Sequence, residues 1–166
     1  EVKFNMPPAL LILDAQNDFF GADNPNLAAF QRSLTVINAA SAAFRRRGWP
    51  VIFVQHTSPA KPAGSPAWQI HAGFERGPQD AARAKTQHNA FDGSGLQQVL
   101  AARGADVLVI AGYVAEYCVL ATYRAAQRMR YQPFALRDGT ASLEDFDLEE
   151  VEPPLQWLAV GEIEKM

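Results

Sequence analysis

The chain breaks into short, fully apolar runs separated by amphipathic stretches. PALLILDAQ is one such run, ending on the carboxylate of Asp14, and it predicts a short buried strand. After a turn near Gly21 to Pro25, the stretch Leu27 to Arg47 carries Leu27, Phe30, Leu34, Ile37 and Phe44 at mostly helical spacing. Gly48 and Pro50 stop that helix, and Arg45-Arg46-Arg47 gives its C-terminus the positive charge the helix dipole favours. PVIFVQH predicts a second buried strand. Thr57 to Gln79, rich in Pro, Gly and Ser, predicts a long loop with one helical turn and holds Trp68, Ile70 and Phe74. A short extended piece follows around Lys85 to Phe91, then a helix over Leu96 to Arg103 ended by Gly104. ADVLVIAGY is the most strand-like run, apolar on both faces as a central parallel strand requires. Glu116 to Arg130 predicts a helix with Val119, Leu120, Tyr123, Ala126 and Met129 along one side. YQPFALRDG predicts a strand whose proline implies a bulge or a less central place. In the tail, the pattern predicts a short helix to Trp157 and an edge strand near Ala159 to Ile163.

Strands and helices alternate throughout, with no internal repeat. The expected architecture is a three-layer α-β-α, Rossmann-like single domain over residues 1–166, with a doubly wound, mostly parallel sheet. Ligands in such sheets bind beyond the C-terminal strand ends. Three of those ends carry polar or reactive groups: Asp14, His56 and the turn from Gly112 to Cys118.

Composition narrows the function. A formal net charge of -3 gives no electrostatic reason to expect a nucleic-acid partner. No apolar run approaches the roughly 20 residues that span a bilayer, so no membrane association is expected. The segment EVKFNMPP lacks the basic region and apolar core of a signal peptide. One cysteine cannot form an internal disulfide, which points to a reducing cytoplasm.

That cysteine, Cys118, falls at the start of the helix after ADVLVIAGY. A helix start favours an anion, so a thiol there is expected to have a depressed pKa, and the same N–H groups suit an oxyanion. Most free cysteines are simply small buried residues, and position alone does not decide between the two. Asp14 would ordinarily be a loop cap and Lys85 a solvated surface charge. Together the three are chemically coherent: a carboxylate to move the thiol proton and an ammonium to hold the charges. Two other classes remain open, a non-catalytic scaffold protein and a flavodoxin-like phosphate binder. The second lacks a glycine-rich loop after the first strand, where DAQNDFF stands.

Three segments, ALLILDAQNDFF, KTQHNAFDGSGL and VLVIAGYVAEYCVLAT, occur in an order that resembles the isochorismatase-like cysteine hydrolases. That family includes nicotinamidases, carbamoylsarcosine amidases and ureidoacrylate amidases. The resemblance implies an Asp14, Lys85, Cys118 triad with the cysteine as nucleophile. It also implies a cis peptide at Tyr113–Val114 and an oxyanion hole from the Val114 and Cys118 N–H groups. It implies a small-molecule amide or ureido substrate and a homo-oligomer, a dimer or larger. Relatives that cleave the vinyl ether of isochorismate lack the cysteine, so an ether substrate is the less favoured alternative. Two positions depart from the usual pattern: Asn89 where Ser is more frequent, and Ala115 where many relatives have Thr. Nicotinamidases of the family bind a metal through an Asp-x-His and a further His. VQHTSPAKPAG offers only His56, and His71 and His88 form no ligand spacing with it, so no metal or other cofactor is expected. The candidate pocket walls are Phe19, Phe91, Tyr117 and Trp68, with Gln16 and Asn17 as candidates to orient a polar substrate group.

Overall fold

Five consecutive apolar residues leave no face for water, and such a segment is stable only when covered on both sides. In the computed structural model, which describes residues 3–166, Ala9–Leu13 forms the fully buried strand β1. Glu1 and Val2 of the EVKFNMPP segment lie outside the described residues. Around β1 the strands β2 (Val51–His56), β3 (Ala81–Lys85), β4 (Val107–Tyr113), β5 (Gln132–Ala141) and β6 (Trp157–Leu158) form one sheet in the order β3-β2-β1-β4-β5-β6. Every pairing is parallel.

Side chains alternate across the strands and build two cores. Leu10 and Ile12 meet Phe30, Ile37, Ala40 and Phe44 of helix α1 (Leu27–Arg46) and Ile163 of the short helix α4 (Val160–Ile163). On the opposite face Leu11 and Leu13 pack with Leu96 and Leu100 of α2 (Leu96–Arg103) and Tyr123 and Ala126 of α3 (Leu120–Arg128). This is the expected three-layer α/β fold. The chain winds outward from β1 through β2 to β3, then returns to β4 on the other side of β1. That reversal opens a crevice at the C-terminal ends of β1 and β4.

Gly112 sets how closely those two ends approach. It pairs with Leu13 at φ +106°, and a Cβ there would lie 2.0 Å from the Leu13 carbonyl oxygen. Backbone cannot yield as a flexible side chain would, so only glycine fits. Gly112→Ala is expected to cost roughly 3 kcal/mol or more, seen as a large fall in the thermal midpoint or loss of soluble protein. An unchanged midpoint would show that the strands can part at little cost.

Four predicted elements differ from expectation. The third strand ends at Lys85 instead of beginning there. Its residues Ala82, Arg83 and Ala84 are exposed on a sheet edge, so the segment has no apolar alternation to reveal it. In the tail the order is reversed: strand at Trp157–Leu158, helix at Val160–Ile163. The predicted helix from Glu116 opens with a π turn over Ala115–Val119 before α3 begins at Leu120. The irregularity expected in β5 is present beyond its proline: Ile110 pairs with Ala135 but Gly112 with Thr140.

Candidate active site

Four strand ends bring the chemistry together. Asp14 follows β1, with its N–H bonded to the Val54 carbonyl at 2.9 Å and its backbone at φ +54°, a conformation aspartate tolerates better than most residues. His56 and Lys85 close β2 and β3, where they are register partners. Cys118 sits in the π turn after β4, and the Tyr113–Val114 peptide before that turn is cis. Below it, the buried Tyr113 hydroxyl lies 2.7 Å from Ser33 Oγ, tying the end of β4 to α1.

Asp14, Lys85 and Cys118 are 3%, 2% and 6% exposed. Their functional atoms form a nearly equilateral triangle. Lys85 Nζ lies 3.1 Å from Asp14 Oδ1 and donates to Cys118 Sγ at 3.2 Å, and the thiol donates to Asp14 Oδ2 at 3.2 Å. The ammonium also donates to the Gln87 carbonyl at 3.1 Å and to His56 Nδ1, 3.0 Å away. A lysine has three N–H groups. Cys118, Gln87 and His56 use all three, so Asp14 Oδ1 is held by charge alone and has no hydrogen bond of its own.

The electrostatics differ from the sequence expectation. Burial pushes the Cys118 thiol up to about 12, the Asp14 carboxylate adds to the rise, and Lys85 pulls the other way. The expected thiolate at a helix start is therefore a neutral thiol, because desolvation and an adjacent anion outweigh the lysine and the turn's N–H groups. The resting site is a thiol hydrogen-bonded to its own base.

Above the triangle lies a cleft of about 140 Å³ lined by Asp14, Phe19, His56, Lys61, His88, Val114, Tyr117 and Cys118. Phe19 and Tyr117 therefore stand where the sequence placed them, Tyr117 at the rim with 53% of its surface exposed. The other proposed walls stand elsewhere. Phe91 stacks on Tyr131 with ring centroids 5.5 Å apart. Trp68 Nε1 donates to Thr57 Oγ1, which fastens the long loop to the end of β2. Gln16 is fully buried. Its amide nitrogen donates to the His56 and Trp68 carbonyls, and its oxygen accepts from the His56 N–H, so it clamps backbone. Asn17 likewise donates to the Pro66 carbonyl.

The Isochorismatase domain family matches residues 8–155. The chain belongs to the isochorismatase family. It is 30% identical over 138 residues to a streptothricin hydrolase of Streptomyces noursei, an alignment covering 81% of this chain and 49% of that protein. The chain thus spans about half the length of that relative. Among solved structures, an isochorismatase family protein from Desulfovibrio vulgaris is 26% identical with a TM-score of 0.78, covering 85% of each chain. N-carbamoylsarcosine amidase from Thermoplasma acidophilum shares the fold at 24% identity and a TM-score of 0.75, over 87% of this chain and 88% of that one. No helix among the described residues is long and apolar enough to cross a membrane.

Some family members hold a metal, so the residues here can be tested for fit. Asp14, His56 and Cys118 place ligand atoms within 4.8 Å of one another. Yet Lys85 Nζ stands about 3 Å from an atom of each, where an ion bound by all three would sit. A buried ammonium already supplies the positive charge, and a dication beside it would be strongly repelled. The set does not fit a metal.

Sequence reasoning missed Lys61 and His88. Lys61 is buried, its Nζ bonded to Asp18 at 2.8 Å and 5.1 Å above the Phe19 ring. It stands in a Pro/Gly/Ser-rich stretch where a lysine looks solvated, so no local signal could have found it. His88 meets Tyr117 edge-on, ring centroids 5.1 Å apart, and lines the cleft beside it.

Proposed function

We propose that this protein is a cysteine-dependent amidohydrolase that cleaves the C–N bond of a small amide or ureido compound through a thioester intermediate. The closed triangle of carboxylate, thiol and ammonium carries this reading. Asp14 Oδ2 takes the thiol proton as Sγ bonds to the substrate carbonyl carbon. The oxyanion so formed is held by the N–H groups of Val114, which precedes the π turn, and Cys118 within it. Lys85 keeps the carboxylate and the sulfur in register throughout. The proton on Asp14 passes to the leaving nitrogen, the C–N bond breaks, and an acyl-thioester remains on Cys118. Water then loses a proton to Asp14 and adds to the thioester, and the proton returns to sulfur as the acid departs.

A thiol of high pKa beside a carboxylate suits this order, because the proton moves only as the new bond forms. The cleft's volume supports a small substrate, and a structural neighbour that is an amidase supports C–N cleavage. Rapid acid quench after mixing with a panel of small amides and ureides, followed by mass spectrometry, is expected to show an acyl adduct on Cys118. Turnover without any such adduct, even when the deacylation step is slowed, would remove the covalent mechanism.

A further inference from the structure

His56 is fixed from two directions. Its backbone N–H and carbonyl are both held by the Gln16 amide, at 2.9 and 3.0 Å. Its ring Nδ1 lies 3.0 Å from Lys85 Nζ. An ammonium has donors and no lone pair, so Nδ1 must be the acceptor, and the proton of the neutral ring sits on Nε2. Charging the ring would set an N–H against the ammonium. The groups facing it agree. Burial first and then Lys85 hold the imidazole below its ordinary pKa, Lys61 and His88 act in the same direction, and Asp14 opposes them. The half-buried ring lines the cleft beside Cys118. With Nδ1 committed to Lys85, Nε2–H is the polar atom left for a ligand.

We propose that His56 is a substrate-binding residue whose Nε2–H donates to a second acceptor of the substrate, so that the enzyme prefers amides bearing an oxygen beside the scissile carbonyl. This rests on the reading of Cys118 as the nucleophile toward a small amide. Specificity of this kind follows from a donor with a fixed proton, since a substrate with no acceptor leaves it unpaired.

Two isosteric amides separate the outcomes: pyruvamide, with C=O next to the scissile carbonyl, and methacrylamide, with C=CH2 there. His56→Asn keeps an oxygen acceptor for Lys85 and removes the Nε2 donor. His56→Gln keeps an N–H near the Nε2 position and gives up the Nδ1 acceptor. His56→Asn is expected to raise KM for pyruvamide roughly tenfold relative to its effect on KM for methacrylamide. His56→Gln is expected to keep the preference and to lower kcat on both amides, because Lys85 loses an acceptor. Equal effects of His56→Asn on the two amides would overturn the proposal and leave the ring as a support for Lys85 alone. Nitrogen NMR of the free protein gives a check that needs no turnover: an Nδ1–H tautomer overturns the proposal. Absence of hydrolysis of both amides would count against the hydrolase reading instead. In that case the Cys118→Ala protein still decides, since pyruvamide alone should shift the Nε2 resonance, and equal responses to both amides overturn the assignment.

Discussion

Cys118→Ala is expected to remain folded and to lose turnover, with kcat/KM down by roughly 10⁴-fold or more. The fold should survive because the sulfur contributes one small buried group, and the ion pair between Lys85 and Asp14 at 3.1 Å does not depend on it. The loss should be large because the remaining groups cannot replace a covalent step: Asp14 alone can activate water, but without the sulfur there is no acyl intermediate. Initial rates on amides that the wild type hydrolyses, together with circular dichroism, make the measurement. Full activity in the variant would end the nucleophile assignment. It would instead favour hydrolysis by water that Asp14 activates directly.

Most of the sheet was legible because its central strands are buried on both faces. β1, β2 and β4 are apolar almost throughout, and their ends named Asp14, His56 and the turn bearing Cys118. What failed was whatever relied on a half-buried pattern. β3 shows three exposed residues and then Lys85, so its register with β2 had no hydrophobic signature. That register nonetheless carries Lys85 to the site, and its arrival beside His56 could not be read from spacing. Gln16 and Trp68 fall outside the cleft lining for a related reason. Both fasten to the C-terminal end of β2, Gln16 to the His56 backbone and Trp68 to Thr57, through tertiary contacts that the sequence does not encode locally. The thiol's acidity was misjudged because a helix start can be recognised in a sequence, whereas the depth of burial and the anion 3.2 Å away come only with the tertiary fold.

Asp14→Asn should move reactivity and turnover in opposite directions. In the native protein the carboxylate raises the thiol pKa both by its charge and by accepting the thiol hydrogen bond, while Lys85 lowers it. Asparagine can still accept the thiol hydrogen bond, but removing the negative charge deletes the first influence and leaves that of Lys85, so the thiol pKa must fall from its raised value. Burial, the largest cause of the elevation, remains and keeps it from falling as far as an exposed helix-start cysteine would. Alkylation of Cys118 by iodoacetamide near pH 8 should therefore become faster, and its pH profile should shift to lower pH. Hydrolysis should nevertheless collapse by roughly 10²-fold or more, the scale of a lost general acid–base, because asparagine can neither take the thiol proton nor return it to the leaving amine. A carboxylate that only positioned Cys118 predicts another pattern: alkylation would still quicken as the charge is lost, but hydrolysis would change little, since an isosteric amide could still position the thiol. A thiol pKa that stayed or rose in Asp14→Asn would show that Asp14 is not an anion beside the sulfur, and the proton path proposed here would fail with it.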